Sequence, residues 1–278
     1  MFDAAYAYHA RFKPQALVLS RADAIVFERY DGGFAAAAPH ALYSGTKSFW
    51  GVAAIEAQHD GLLRLDEPVS ATFESWKNDA WKASVTLRML LQLVAGVPFG
   101  GLGASVPPYA KALDVQLRAE PGTAFTYGGI PLQIFGAVFS AKLQGRGSTP
   151  HEYLRQRVLD PAGVAIARWR TMADGSHPLP TGAFTTARDW LAYGRFVCER
   201  RARYAECFGA SQANPRYGLC WWLQLPGTPA DLFYASGSGG QALYVIPSLG
   251  LIAARFGAGG SFNHAAFVKR LVQDAKDA

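Results

Sequence analysis

The chain has 278 residues, of which 50% are hydrophobic and only 17% charged, and it contains 17 Phe, 12 Tyr and 7 Trp. A chain so rich in apolar and aromatic side chains can bury a large core, which excludes disorder and low-complexity sequence. Its formal net charge of +6 comes from Lys and Arg that are scattered rather than clustered. This distribution argues against a nucleic-acid-binding surface.

Metal and membrane signals are absent from the sequence. The three cysteines form no CxxC pair, and the six histidines show no HxH or HExxH spacing, so we expect no metal. The reaction predicted below implies no organic cofactor either. No apolar run reaches the length of a membrane span. The N-terminus lacks a basic region followed by an apolar one, which predicts a cytoplasmic protein as given, or a periplasmic one if a signal peptide has been removed. Nothing in the sequence indicates the oligomeric state.

Hydrophobic periodicity and capping residues predict the elements in chain order. The first half is expected to contain a helix, a hairpin, two further helices and a loop-rich stretch, at residues 2–12, 16–20 with 24–30, 44–59, 86–96 and 97–122. The second half is expected to contain helices over 130–144, from Thr149, from Thr186 to about 201 and over 262–276, with strands at 217–225, 232–236, 242–246 and 251–256. Thr149, Pro150 and Glu152 form a capping box with proline in its favoured slot.

Both ends of the chain therefore supply strands and a helix, while the middle is mainly helical. We expect one antiparallel sheet built from residues 1–43 and 205–278 and covered by the terminal helices, with a mainly helical insert over 44–204. The predicted fold class is α/β of the α+β type, in a single domain over residues 1–278.

The tetrad Ser44-Gly45-Thr46-Lys47 has the pattern S-x-x-K and precedes an apolar helix. A serine hydroxyl is a weak nucleophile until a neighbouring base accepts its proton. Lysine can be that base when burial and the positive end of a helix lower its pKa. The alternative interpretation is an ordinary helix start with a solvated lysine.

Two later segments carry further candidate chemistry. Tyr127 ends a glycine-rich loop before a helix, where a nearby lysine would favour its phenolate and allow proton transfer. The segment 235–241 is a glycine-rich strand edge, where a substrate could approach the backbone and N–H groups could stabilise an oxyanion. The alternatives are a packing tyrosine and a simple hairpin bend.

Taken together and in this order, the three motifs resemble those of the penicillin-recognising, β-lactamase-like serine hydrolases. That superfamily includes class C β-lactamases, D,D-peptidases, D-aminopeptidases, esterases and 6-aminohexanoate-oligomer hydrolases. Other stretches that share its pattern are YSGTKSFWG, VTLRMLLQLVAGVP, PGTAFTYGG, TGAFTTARDW, RYGLCWWL and the segment GGQ-x-L-x-V-x-P. The resemblance spans residues 16 to 257 and implies a β-lactamase/transpeptidase-like fold.

The resemblance also implies roles for individual residues. Ser44 matches the acylated nucleophile, Lys47 its general base, and Tyr127 the tyrosine that takes part in proton transfer. The backbone N–H groups of Ser44 and Ser238 would form the oxyanion hole. The candidate substrate-binding residues implied by the second and third motifs are Ser236, Gly237, Gly239, Gly240, Gln241 and Gly129.

Two departures from the class C β-lactamase pattern bear on the substrate. Gly129 stands where that family has the Asn of Y-x-N, and Ala235 stands where its third motif has a Lys. The Asn holds the substrate amide and the Lys attracts the β-lactam carboxylate, so we do not expect efficient β-lactam hydrolysis. The pattern of Gly237, Gly240 and Gln241 is more similar to the esterase and 6-aminohexanoate-oligomer hydrolase branch.

The sequence therefore predicts a serine hydrolase that cleaves a small ester, amide or short peptide through an acyl-serine intermediate. One alternative is a D,D-peptidase or weak β-lactamase that acts on peptidoglycan-like or β-lactam substrates. The other is a catalytically silent sensor protein related to penicillin-binding proteins.

Overall fold

The computed structural model describes residues 2–277 as a large antiparallel sheet packed between helices. The helices are α1 (Asp3–Ala10), α2 (Ser48–His59), α3 (Ala80–Ser84), α4 (Leu87–Leu91), α5 (Tyr109–Leu113), α6 (Ile130–Gln144), α7 (Pro150–Leu154), α8 (Asp160–Ala162), α9 (Ala187–Glu199) and α10 (His264–Lys276). The strands are β1 (Pro14–Arg21), β2 (Ala24–Tyr30), β3 (His40–Ala41), β4 (Arg168–Trp169), β5 (Ala183–Thr185), β6 (Trp222–Leu223), β7 (Phe233–Gly237), β8 (Gln241–Ile246) and β9 (Leu251–Gly257).

The six strands of the large sheet lie in the order β2-β1-β9-β8-β7-β6, and every neighbouring pair is antiparallel. The N-terminal hairpin joins the C-terminal strands where β1 pairs with β9, with Val18 opposite Ala254. This arrangement confirms the predicted α+β fold class and its antiparallel sheet.

Both faces of the sheet are buried, as β1 illustrates. Leu17 and Leu19 pack in one core with residues of α1 and α10, while Ala16 and Val18 pack in the core on the opposite face. Successive side chains of a strand point to opposite faces, so burial on both sides requires an almost continuous apolar run. Helix α9 packs on β1, β8 and β9.

Several predicted helix starts are confirmed by the capping contacts. The Thr149 hydroxyl accepts from the N–H of Glu152 at 3.2 Å, and the Glu152 carboxylate accepts from the N–H of Thr149 at 2.7 Å. The Thr186 hydroxyl likewise accepts from the N–H of Asp189 at 3.1 Å and begins α9. Each cap satisfies a backbone donor that the first turn of a helix leaves free.

Two other predicted elements are shorter in the structure, one because a distant segment bonds to its backbone and one because residues within it have positive φ values. The helix expected to run to Gly96 ends at Leu91, whose carbonyl accepts from the N–H of Cys220 at 3.0 Å. Leu93 follows in a left-handed conformation with φ 59°. The strand expected over 217–225 contains only β6 in the large sheet, because Cys220 and Gln224 have positive φ values of 64° and 55°.

The loop-rich stretch 97–122 contains the short helix α5, and the helix expected from residue 44 begins as a 3₁₀ turn over Tyr43–Lys47 before α2. A second, three-stranded antiparallel sheet in the order β3-β5-β4 was not predicted. Its strands have only two or three residues, too few to show an alternating pattern in the sequence.

The division into a sheet region over 1–43 and 205–278 and an insert over 44–204 stays a prediction, and its end residues 1 and 278 lie outside the described residues. No helix within residues 2–277 is long and apolar enough to cross a membrane. Cys198, Cys207 and Cys220 are free thiols.

Candidate active site

The S-x-x-K tetrad lies on the 3₁₀ turn Tyr43–Lys47 that leads into α2. In a 3₁₀ helix the side chains at i and i+3 are nearly eclipsed, which brings Ser44 and Lys47 together. Lys47 Nζ lies 3.1 Å from Ser44 Oγ, within hydrogen-bond distance. Tyr43 enters the turn with φ 47°, a left-handed conformation that is uncommon for a bulky residue.

Lys47 is buried, with 2% of its surface exposed. Its Nζ also donates to the carbonyl of Pro180 at 3.3 Å and lies 4.9 Å from the centre of the Tyr127 ring. Burial lowers the pKa of Lys47 to about 8, against the smaller opposing effect of the Cys220 thiol. A lysine in this environment can give up its proton near neutral pH, as a general base must.

Tyr127 lies in the loop before α6, half-buried beside the tetrad. Burial raises the pKa of Tyr127, and the hydrogen bond with the Ser44 side chain opposes that effect only in part. This corrects the expectation that the nearby lysine favours a phenolate, because desolvation dominates. Tyr127 is thus a neutral phenol that can donate a proton, and its ring stacks on Trp222 with centroids 5.8 Å apart.

The end of β7 lies directly against the chain that enters the tetrad. A Cβ atom on Gly237 would be 2.1 Å from the carbonyl oxygen of Leu42, so only glycine permits this approach. Ser238 follows as an exposed residue at the start of a 3₁₀ turn. The backbone N–H groups of Ser44 and Ser238 donate to no backbone acceptor elsewhere in residues 2–277.

The glycine-rich turn after β7 is supported from behind by Arg255. The guanidinium is fully buried, and its Nη1 donates to the carbonyl of Gly239 at 2.9 Å. Gly239 and Gly240 both have φ 80°, and a Cβ on Gly240 would lie 2.5 Å from the same Nη1. The second of these glycines therefore makes room for the arginine.

The other predicted substrate-binding residues also make contacts within the protein. The Gln241 amide donates to the carbonyl of Gly257 at 2.5 Å and accepts from its N–H at 3.0 Å. Ser236 Oγ lies 3.2 Å from His264 Nε2. A Cβ on Gly129 would lie 2.0 Å from the carbonyl oxygen of Gly101, so no side chain fits at that position.

Two cavities adjoin Tyr43, the residue before the tetrad, and both are also lined by Phe184. One, of about 380 Å³, is also lined by Ser238, Gly239 and Gln241. The other, of about 370 Å³, extends along β4 and β5. The structure thus brings Ser44, Lys47 and Tyr127 together and places part of the glycine-rich segment along one adjoining cavity.

Sequence reasoning missed Pro180, Trp222 and Arg255. Pro180 contributes a backbone carbonyl, which any residue carries, and it lies 133 positions from Lys47. Trp222 belongs to the stretch RYGLCWWL, but only the fold shows which of its tryptophans reaches Tyr127. Arg255 is one of many scattered basic residues in the sequence, and only its burial distinguishes it.

Within residues 2–277, no group of three or more His, Cys, Asp or Glu side chains could hold a metal ion.

Comparisons with known proteins give a family and several structural neighbours. A family model described as Beta-lactamase matches residues 15–274. No protein with a curated description matches the sequence.

Among solved structures, a putative 6-aminohexanoate-dimer hydrolase from Bacillus anthracis has a TM-score of 0.82 and 17% identity, with 98% of this chain and 81% of that chain covered. A penicillin binding protein from Bacillus halodurans has a TM-score of 0.74 and 16% identity, with 97% of this chain and 99% of that chain covered. A beta-lactamase from Mycobacterium bovis has a TM-score of 0.68 and 21% identity, with 98% of this chain and 97% of that chain covered. At these identities the likeness is one of fold.

Proposed function

The chain belongs to the beta-lactamase family, and on that premise we propose that it is a serine hydrolase that cleaves an ester or amide bond through an acyl-Ser44 intermediate. The observation that carries this proposal is the distance of 3.1 Å between Ser44 Oγ and the buried amine of Lys47. A nucleophile and a base at this distance, with the pKa of the base lowered to about 8, are what acyl transfer requires.

In the acylation step, Ser44 Oγ bonds to the substrate carbonyl carbon while its proton passes to the neutral amine of Lys47. The carbonyl electron pair moves to oxygen, and the N–H groups of Ser44 and Ser238 stabilise the resulting oxyanion. The electron pair then re-forms the carbonyl, and the bond to the leaving group breaks. The leaving group departs with a proton supplied by Lys47 through the Tyr127 hydroxyl.

In the deacylation step, water attacks the acyl carbon as Lys47 takes one of its protons. Collapse of this second tetrahedral intermediate releases the carboxylic acid, and the proton returns to Ser44 Oγ. Tyr127 can serve both steps because it enters as a neutral phenol. The cycle uses side chains and backbone donors alone, so the proposal involves no metal or organic cofactor.

Two features make β-lactams poor candidates for the substrate. The tight contact between Gly129 and Gly101 leaves no space for the amide side chain that class C enzymes use. Ala235 is buried and places no cation on β7. We therefore propose esters and simple amides as the substrates, with D,D-peptidase or β-lactamase action as an outcome that the experiment below would reveal.

The test is a substrate panel applied to the wild type and to Ser44→Ala. The panel contains p-nitrophenyl esters of graded chain length, nitrocefin and a peptide ending in D-Ala-D-Ala. We expect turnover of the esters by the wild type and loss of that turnover in Ser44→Ala. Equal rates for the two proteins on every substrate that is turned over would refute the nucleophile assignment.

The same panel separates the alternatives. Turnover of nitrocefin or the peptide in preference to the esters would favour a β-lactamase or a peptidase. No turnover, together with no covalent adduct from a fluorophosphonate probe, would favour the silent sensor protein.

A further inference from the structure

The cavity along β4 and β5 is lined by residues that adjoin the candidate site in the chain. Tyr43, which lines it, directly precedes Ser44, and Thr181, which also lines it, directly follows Pro180, the acceptor for Lys47. The cavity measures about 370 Å³, enough to hold part of a small substrate.

The charges that line this cavity are all positive. Arg168 and Arg170 contribute to its wall, and none of the other lining residues is acidic; these are Ala41, Tyr43, Gly103, Ala104, Trp169, Thr181, Gly182, Ala183 and Phe184. Among the described residues, neither arginine forms an ion pair with a carboxylate. Two guanidinium groups therefore border the cavity without neutralising partners.

Both side chains keep donor groups that the protein does not use. The Arg168 guanidinium lies 3.7 Å from the centre of the Phe184 ring, and stacking on a ring face leaves the N–H groups at the guanidinium edge free to donate. Arg170 Nη1 donates to the carbonyl of Gly103 at 2.6 Å, while its Nη2 donates to no acceptor among the described residues.

The small sheet sets the distance between these arginines and the nucleophile. Strand β5 pairs on one side with β3, which leads into Ser44, and on the other with β4, which carries Arg168. Two strand spacings place β4 about 10 Å from the chain that enters the tetrad. Because the Arg168 guanidinium lies over Phe184 on the intervening strand β5, a carboxylate a few bonds from the scissile carbonyl would span the remaining separation.

From this placement we infer that the natural substrate carries a carboxylate that binds to Arg168 and Arg170 beside the reacting bond. The inference rests on the proposed function and adds a substrate class to it. A guanidinium binds a carboxylate through two parallel N–H donors, which orients the substrate as well as attracting it. The cation that β7 lacks at Ala235 is thus supplied from another element, on a different wall of the site.

The test compares matched anionic and neutral esters. On the acyl side, mono-p-nitrophenyl glutarate is compared with its methyl ester and with p-nitrophenyl valerate. On the leaving-group side, para-carboxyphenyl butyrate is compared with phenyl butyrate. We expect the carboxylate in at least one of the two sets to raise kcat/KM by about 10- to 100-fold, and this advantage to shrink as salt is added.

Arg168→Gln and Arg170→Gln are expected to lose most of that advantage while retaining hydrolysis of the neutral esters. Arg168 is exposed, so its replacement leaves the core intact. Arg155→Gln is the matched control, because it removes the same charge from an exposed ion pair with Asp160 outside the cavity.

The inference would be overturned by equal kcat/KM for the anionic and neutral esters in both sets, or by an advantage that persists unchanged in both cavity variants. Either result leaves the serine mechanism standing if hydrolysis of the neutral esters still depends on Ser44. Hydrolysis of neutral esters by Ser44→Ala at the wild-type rate would instead refute the proposed function itself.

Discussion

At the scale of single residues, the proposed acyl transfer depends on the ionisation of Lys47. Burial lowers the pKa of this amine to about 8, and only its neutral form can accept the Ser44 proton. We therefore expect kcat/KM for a neutral ester to rise with pH through an ionisation near 8. The check is a pH–rate profile corrected for the Ser44→Ala background.

Lys47→Arg is the companion variant, because a guanidinium keeps its proton across this range. Its residual activity should show no ionisation near pH 8. A wild-type profile without that ionisation would contradict the assignment of Lys47 as the base.

The same burial predicts that Lys47 costs stability. Its pKa is about 8 in the folded protein against the ordinary value of 10.5, so at neutral pH the folded state bears the cost of a buried ammonium. As pH rises from about 8 towards 10.5, the unfolded chain still binds a proton that the folded chain has released, and the wild type gains stability.

Lys47→Met should therefore be more stable than the wild type at neutral pH by about 2 kcal/mol, after allowance for the lost hydrogen bonds. The difference should narrow with rising pH in thermal unfolding experiments. Lys77→Met, at an exposed lysine paired with Glu74, is the control and should change little. A destabilised Lys47→Met at neutral pH would count against this interpretation.

At the scale of elements, the turn between β7 and β8 depends on Arg255 as a positioning residue. Its guanidinium donates to the carbonyl of Gly239, next to the candidate oxyanion donor Ser238. Arg255→Met should loosen that turn and lower kcat by about 10- to 100-fold with little change in KM, by comparison with the effect of removing one oxyanion donor.

Infrared spectroscopy of the acyl-enzyme distinguishes a positioning role of Arg255 from a purely structural one, because the acyl carbonyl frequency reports the hydrogen bonds to that carbonyl. The acyl carbonyl band should shift to higher frequency in Arg255→Met, because its hydrogen bonding weakens, and return part of the way in Arg255→Lys. An unchanged band in a variant with reduced kcat would exclude this role for Arg255.

Helix α2 depends on Gly51 for its position beside the segment that carries Cys220. A Cβ at position 51 would lie 2.1 Å from the backbone oxygen of Leu219. Gly51→Ala should lower the free energy of unfolding by about 2 kcal/mol or more, because the clash is with backbone. Gly145→Ala, where a Cβ meets nothing within 4 Å, should change it by less than about 0.5 kcal/mol. Equal effects in denaturant titrations would contradict this packing argument.

Elements whose signals are local could be predicted from the sequence, whereas those set by distant contacts could not. The caps at Thr149 and Thr186 act within one turn of their own helices, and both are confirmed. The early end of α4 depends on Cys220, which lies 129 residues away. No periodicity around Leu91 contains that information.

At the scale of the whole molecule, the composition has a structural explanation. A six-stranded sheet with a core on each face needs far more apolar side chains than a sheet with one face in water. Part of the basic excess is structural too, since buried Glu56 accepts from Arg203 at 2.6 Å and from Arg157 at 3.3 Å. Burial would raise the pKa of Glu56, but the hydrogen bonds from Arg203 and Tyr204, together with the positive charges of Arg203 and Arg157, more than reverse that effect.

Some residues of the candidate site could likewise be predicted from neighbouring sequence, whereas others enter the site only through contacts between distant segments. Ser44 and Lys47 could be identified as candidates because they lie three positions apart in one turn, and Tyr127 because its glycine-rich loop follows in the family's order. The contributions of Pro180, Trp222 and Arg168 depend on segments that only the fold brings together. The substrate class that we infer could not be predicted from the sequence, because Arg168 lies on β4 and Arg170 directly after it, outside every motif.

Trapping the acyl group on Ser44 tests the proposed mechanism most directly. The protein is mixed with a p-nitrophenyl ester, quenched in acid during turnover and digested for mass spectrometry. We expect one acyl group, on the peptide that contains Ser44, and slower formation of this acyl-enzyme in Lys47→Met. Acylation of a different residue during turnover, or turnover without any covalent acyl-enzyme after rapid quenching, would contradict the proposed mechanism.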